Sequence, residues 1–560
     1  MPIPETIDHS ANRWKWIAIV AIPLLVLAVY HRTFTYPFHF DGQVNIQSNE
    51  SYQTLSWENF PRTPRSLVNL TWRLNYFADG GTLLGYHLVN ISIHIAASLL
   101  LFGFISQTLR LPKIPERYRD HATLLAAGVA LLWAVHPLQT QSVTYIVQRY
   151  ESLMGMFFLL SLFCFIRGFT SKYHAAWYLG SVVACFASAL SKEVAVAIPL
   201  VVLWYDRAFL AQSWLDLIRN RWPVYMGLFA AWLILAQLAL VPLTTHNEHG
   251  TVLVHEVDFS AEEPIRTLVG PKEYLYSQAH AIPFYLQLTI LPMGQSLDHS
   301  WRATYSLSEA IWPGIIVVAA LGLTIWCIFR APCWSFVGAS FFLILAPTSS
   351  ILPIQDIVFE HRMYLPLAAV ITLIVLGIYE GLWLTQPMQA SDSSHLSAWQ
   401  SLIVLIVVLI AVYGGVTIAR NEVYRDGNSM WSDVLAKNPN NPRAYHGIAH
   451  AYITQGDWAK AIPYLEKTIE LHPEYQFNGG YADRFRKGAT KAIEMGDVPL
   501  ALQLLDLTIK MNPEEAEGYI LMANLLQHEN RRQAVALLQL AIRRDPQNAE
   551  AQQLLKQLTQ

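Results

Sequence analysis

The sequence is short of charge. Asp, Glu, Lys and Arg make up 14% of its 560 residues, against roughly 25% in an ordinary soluble domain, which excludes a wholly soluble protein. Long basic runs are missing and the net charge is -3. A nucleic-acid binder, whose affinity depends on clustered Lys and Arg displacing counterions, is therefore excluded as well. Cysteine is scarce: Cys164, Cys185, Cys327 and Cys333 lie in or beside apolar segments without a CxxC pair, so neither a zinc site nor a disulfide framework is expected. What abounds is apolar surface, with 53% hydrophobic residues, 18 Trp and 26 Tyr. Membrane proteins place such amphipathic rings at both interfaces. The charge is also uneven, since 32 of the 79 charged residues fall in the last 140. An apolar region over 1–420 thus precedes a soluble one over 421–560.

A span needs about 20 apolar residues to cross a hydrocarbon core of roughly 30 Å. Runs of that kind lie at 14–31, 85–107, 122–143, 151–168, 173–190, 192–210, 221–243, 309–329, 334–352, 364–385 and 399–418, which predicts about eleven spans. The first follows Arg13 and Lys15 without a small-residue cleavage site and reads as a retained span. A further stretch, 282–291, is half as long and bracketed by Pro283 and Pro292, so an interfacial or re-entrant helix is expected there. With the N-terminus inside, Arg110, Lys113, Arg117, Arg119, Arg167, Lys172, Arg207, Arg219, Arg221 and Arg330 fall on the cytoplasmic side, in keeping with the positive-inside rule. The long loops 32–84 and 244–308 then lie outside, and an odd span count delivers the C-terminal region outside too.

Beyond residue 420, Pro439, Pro473, Pro513 and Pro546 recur at spacings of 34, 40 and 33. The first is the tetratricopeptide period, and Tyr445, Ile448, Ala449, Tyr452, Ala461, Leu465 and Pro473 fit one copy. Ala501, Leu505 and Pro513, then Ala534, Leu538 and Pro546, continue it. Small Ala lets paired helices approach, and Pro ends the second helix. Such a solenoid presents a concave protein-binding groove.

Five outward segments carry polar groups at span edges, where ionisable residues suggest function because charge in hydrocarbon is costly. Asp41 follows the first span among aromatics, a setting that suits a general base or a solvated loop carboxylate. Arg65, Asn69 and Arg73 recur every four residues, on one face of a surface-lying helix. His87, Asn90 and His94 make a polar stripe on the next span, whose expected use is helix–helix hydrogen bonding. His136, Gln148, Arg149 and Glu151 follow one another in the third segment, Lys192 and Glu193 form the fourth, and 353–356 with Glu360, His361 and Arg362 the fifth. Lys192 with Glu193, or Glu360 with Arg362, could also neutralise one another. Taken together they place cations on the same membrane face as the candidate base, which suits a membrane-embedded anionic substrate.

The order of motifs is specific: F-x-F-D after the first span, GYHLVN with a following His, AVHPLQTQSVTYIVQRYE, SKE, EHRMYLP, then tetratricopeptide repeats. This resembles the transmembrane and tetratricopeptide-repeat protein O-mannosyltransferase-like family, and more broadly the GT-C glycosyltransferases that use polyprenyl-phosphate sugars. The resemblance implies an all-α fold: a polytopic GT-C-like membrane domain over 1–420 and an extracytoplasmic repeat solenoid over 421–560. It implies an enzyme that moves a sugar from a polyprenyl phosphate to a hydroxyl of an extracytoplasmic protein, a pilin or another secreted protein, in the bacterial inner membrane with site and repeats facing the periplasm. Asp41 matches the family's base or acceptor-orienting acid, although Gly42 stands where the family commonly has a second acid. Arg149, Lys192 and Arg362 match positions for the carrier phosphate, and His87, His136, Gln148, Glu151, Glu193, Glu360 and His361 the surrounding substrate site. No cofactor is required, since fixed cations can neutralise a departing monophosphate. Three alternatives stay open. Transfer to a lipid-linked glycan leaves the repeats without a use, a scaffold needs far fewer spans, and a transporter places charges near mid-span or in broken helices.

Overall fold

The computed structural model describes residues 9–53, 65–243, 252–253, 268–354, 356–384, 392–471 and 479–560. Gln355 of the fifth polar segment, parts of both outer loops and the His472-Pro473 step lie outside them. The chain is all-α, its strands limited among the described residues to Val252–Leu253 paired antiparallel with Leu268–Val269. It divides into one unit of 1–255 with 267–429 and another of 256–266 with 430–560.

Among the described residues, six helices of the first unit are long and apolar enough to cross a membrane: Arg13–Thr35, Leu83–Leu109, Ile146–Thr170, Leu307–Arg330, Pro366–Leu384 and Gln400–Glu422. Ala122–Val135 and Pro137–Val143 make a seventh if the 54° bend between them belongs to one span. Of the other expected runs, 221–243 lies within one continuous helix, Trp214–Leu243, while the rest are broken or short. The run 192–210 splits into a 3-10 turn Glu193–Ala197, a helix Ile198–Tyr205 and a π turn Asp206–Leu210, and His174–Ala189 has 16 residues. An apolar run records composition and not helix continuity. The stretch 282–291 is helical but belongs to a longer element, forming the second half of the 20-residue helix Pro271–Ile290, with Pro283 inside it. The polar first half, with Lys272, Glu273 and His280, hides this helix from hydropathy.

Local chemistry explains how the polar segments are delivered to one end of the unit. Gly80, at φ 72°, closes the juxtamembrane helix Ser66–Asp79 in the left-handed conformation that glycine adopts without strain. Thr82 then caps the helix Leu83–Leu109 by accepting from the Gly85 N–H at 3.3 Å. Pro137 lacks an N–H and its ring collides with the preceding turn, so Ala122–Val135 stops there. His136 caps the following turn, its Nδ1 accepting from the Leu138 N–H at 3.2 Å. Gly155, one turn beyond Glu151, lets the loop at 360–364 lie on its helix, because a Cβ there would stand 2.6 Å from the Tyr364 ring.

The second unit stacks helix pairs. Pro442–Thr454 with Trp458–Leu471, Gly479–Glu494 with Val498–Met511, and Ala516–Leu526 with Arg531–Arg544 precede a last helix, Ala549–Thr559. Ala449, Ala461, Ala501 and Ala534 are fully buried at the seams. Gly456 and Gly496, at φ 81° and 78°, turn between paired helices, and Asp497 and Asn530 cap the second helices of their pairs.

Candidate active site

Asp41 is held by its backbone. His39 is buried, and its Nε2–H donates to the Tyr424 carbonyl at 2.7 Å. Burial pushes its imidazole down to about 4, so the ring is neutral. Phe40 then takes φ 41°, a left-handed conformation that costs a bulky residue of order 1–3 kcal/mol and persists only where its surroundings enforce it. The Asp41 N–H donates to the Tyr145 hydroxyl at 3.0 Å, which fixes the far side of the turn. Its side chain is exposed.

Asp41, Arg65 and Glu193 all act on the Tyr150 hydroxyl. Arg65 sits over the Tyr150 ring at 4.6 Å and pairs with Glu193 at 3.4 Å, both partners half-exposed. Lys192 is ion-paired with Glu151, both buried. His361 lies close enough to Lys192, Arg362 and Arg65 to feel all three charges, and these add to burial in keeping it neutral, well below its ordinary value. Its backbone N–H and Nδ1–H both donate to Gln141 Oε1, at 2.7 and 3.0 Å. Among the described residues, no group of three or more His, Cys, Asp or Glu is placed to hold a metal ion.

Other residues singled out by the sequence serve as pins of the fold. Arg149 is fully buried. Its Nε donates to Asn90 Oδ1 at 2.6 Å, Nη1 to Asn75 at 2.7 Å and Thr71 at 3.1 Å, and Nη2 to the Tyr86 carbonyl at 3.0 Å. With most of its donors used, Arg149 locks the juxtamembrane helix to two spans and has little left for a ligand. Arg362 likewise donates to the carbonyls of Thr348, Ile357 and Asp356 and to the Tyr274 hydroxyl. Glu360 accepts from Gln295 at 2.7 Å, the Ser296 N–H at 2.6 Å and His299 at 3.1 Å. Burial would raise its pKa, but His299, the Arg420 charge and the Ser296 N–H hold it below the usual range. His136 Nε2–H donates to the Thr289 carbonyl, and His87 Nε2–H to that of Tyr36, each at 2.9 Å. Gln148 keeps a buried Oε1 without a hydrogen-bond partner. The polar stripe faces protein: Asn90 Nδ2 donates to the Val143 and Ile146 carbonyls, and His94 bonds the Ala134 carbonyl and the Tyr364 hydroxyl.

Comparison with known proteins shows what the chain is similar to. Residues 442–475 match the tetratricopeptide repeat family. Mouse protein O-mannosyl-transferase TMTC4 is 24% identical over 80% of this chain and 66% of its own length. Its relatives are protein O-mannosyl-transferases. Human protein O-mannosyl-transferase TMTC1 is 23% identical over 79% of this chain and 50% of its own, and human TMTC2 is 30% identical over 34% and 24%. The chain thus spans two-thirds or less of the length of these O-mannosyl-transferases. Its membrane character, its repeats and its likeness to glycosyltransferases go together.

Four contributors lie outside the residues assigned to the site from sequence. Arg65 showed in the sequence as part of a helical face, but its link to Glu193 joins segments 128 positions apart. Tyr145 and Gln141 stood in a polar run that gave no sign of which side chain faces which loop. The segment 295–299, which embraces Glu360, carried no motif at all.

Proposed function

We propose that this chain transfers a sugar from a polyprenyl-phosphate donor to a hydroxyl of an extracytoplasmic protein. The observation that carries the reading is the exposed Asp41 carboxylate, set on a strained turn within electrostatic range of Tyr150, on whose ring Arg65 lies. Asp41 orients the acceptor Ser or Thr hydroxyl and takes its proton. The oxygen attacks the anomeric carbon, the bond from that carbon to the phosphate oxygen breaks, and the phosphate departs with both electrons. Arg65, released from half-exposed Glu193, and Lys192 stabilise that developing charge, with neutral His361 beside them. Arg149 and Arg362 act indirectly, by fixing the segments that carry the reacting groups. The repeats hold the acceptor chain, and the site and repeats face the periplasm of a bacterial inner membrane. O-mannosyl transfer by the relatives makes mannose the first sugar to test. Intact-mass comparison of secreted and surface proteins from cells with and without this chain tests the reading. A difference of one sugar on at least one protein supports it, and identical masses, with the chain shown to be expressed, contradict it.

A further inference from the structure

The membrane unit also holds an apolar cavity of about 130 Å³, between the helices Leu83–Leu109, Arg149–Thr170, Pro332–Leu345 and Pro366–Leu384. Phe158 and Leu365 form its buried inner wall. Its lining becomes more exposed toward Pro115 and Trp334, the latter 40% exposed, so it opens at the end of Leu83–Leu109 far from Asp41. The hydroxyls on its wall are turned away. Thr108 donates to the Phe104 carbonyl, Ser340 to that of Val337, Thr372 to that of Ala368, and Tyr118 to Glu380. A water there would lack the two to four polar partners it needs, whereas a hydrocarbon chain would not.

The mouth carries more basic than acidic residues. The connection entering it carries Arg110, Lys113, Arg117 and Arg119, and Arg330 precedes the helix Pro332–Leu345, against Glu116, Asp120 and Glu380. Arg117 bonds Glu380 through Nη2 at 2.8 Å and keeps a buried Nε without a hydrogen-bond partner. From Cys333 to Ile344 the lining helix advances about 16 Å at 1.5 Å per residue, which is one leaflet of a hydrocarbon core roughly 30 Å thick.

We propose that this cavity seats one acyl chain of an anionic phospholipid from the leaflet opposite Asp41, with the head group at Arg117. The seat is separate from the sugar-transfer site and does not depend on that function. The test uses the purified full-length chain in detergent, titrated with phosphatidylglycerol or phosphatidylcholine and read by native mass spectrometry, with the rate of maleimide reaction at Cys333, on the cavity wall, as a second readout. Phosphatidylglycerol is expected to be retained at least about fivefold better and to slow alkylation. Ala369→Phe, and Ser340→Leu should the first fail to fold, are expected to lose retention of both lipids. Arg117→Gln is expected to keep lipid while losing the preference. Equal retention of the two lipids by the unsubstituted chain would overturn the proposal. So would undiminished retention in a folded cavity-filling variant, or polyprenyl phosphate as the lipid whose retention those variants remove.

Discussion

At the scale of single residues, two buried arginines and a half-exposed one separate stability from chemistry. Arg149→Met leaves the oxygens of Asn90 and Asn75 buried without their donor, at about 1–3 kcal/mol for each unsatisfied group. A lower Tm and reduced yield in detergent are expected, and an unchanged Tm would refute the pinning role. Arg65→Gln leaves that core intact, so Tm is expected to hold while KM for the polyprenyl-phosphate donor rises. A drop in Tm as large as that of Arg149→Met would instead make Arg65 another pin. His39 gives a pH signature. Its folded pKa, about 4, lies below the usual 6.5, so between those values the unfolded chain binds more protons than the native one. Stability therefore falls as the pH drops from about 6.5 toward 4, by up to about 1.4 kcal/mol per pH unit from this group. Thermal unfolding from pH 7.5 to 5 is expected to show that loss, and His39→Gln to reduce it by this group's share. An unchanged slope in the variant would remove His39 as its source.

Elements show where the sequence could be read and where it could not. The stripe of His87, Asn90 and His94 was legible because three polar groups at helical spacing on an apolar helix must face protein. The repeat helices were legible because Ala and Pro recur at spacings close to the 34-residue repeat, with one longer step of 40. Pro271–Ile290 was not, because its first half is polar and Pro283 suggests a break, although a helix tolerates one lost N–H where its neighbours pack. Within the site, the identity of the polar residues was visible but their partners were not. Lys192 pairs with Glu151 and Glu193 with Arg65, across long sequence separations, instead of neutralising one another in place. Charge composition cannot distinguish these pairings, since both leave the same net charge. Gly155 makes the packing testable: Gly155→Val puts carbon where the Tyr364 ring lies and displaces the loop carrying His361. Reduced Tm and reduced transfer are both expected, and a variant as stable as the unsubstituted chain would show that the loop does not depend on this close approach.

For the whole molecule, the account assigns chemistry to the membrane unit and acceptor capture to the repeats. A chain ending after Ser429 is expected to bind a polyprenyl-phosphate donor unchanged, yet to transfer poorly to a protein acceptor at low concentration. Acceptor peptide at millimolar concentration, comparable with what a short flexible tether supplies, is expected to relieve the deficit. Full transfer at low acceptor would remove the recruiting role. Whether Asp41 is the catalytic base of a sugar transfer is decided by returning either the unsubstituted chain or Asp41→Asn to cells lacking it and measuring the glycopeptide of an acceptor by mass spectrometry. At equal membrane abundance the unsubstituted chain is expected to restore the sugar, and Asp41→Asn to lower the initial rate by roughly 10²- to 10⁴-fold. Equal rates for the two proteins would contradict that role.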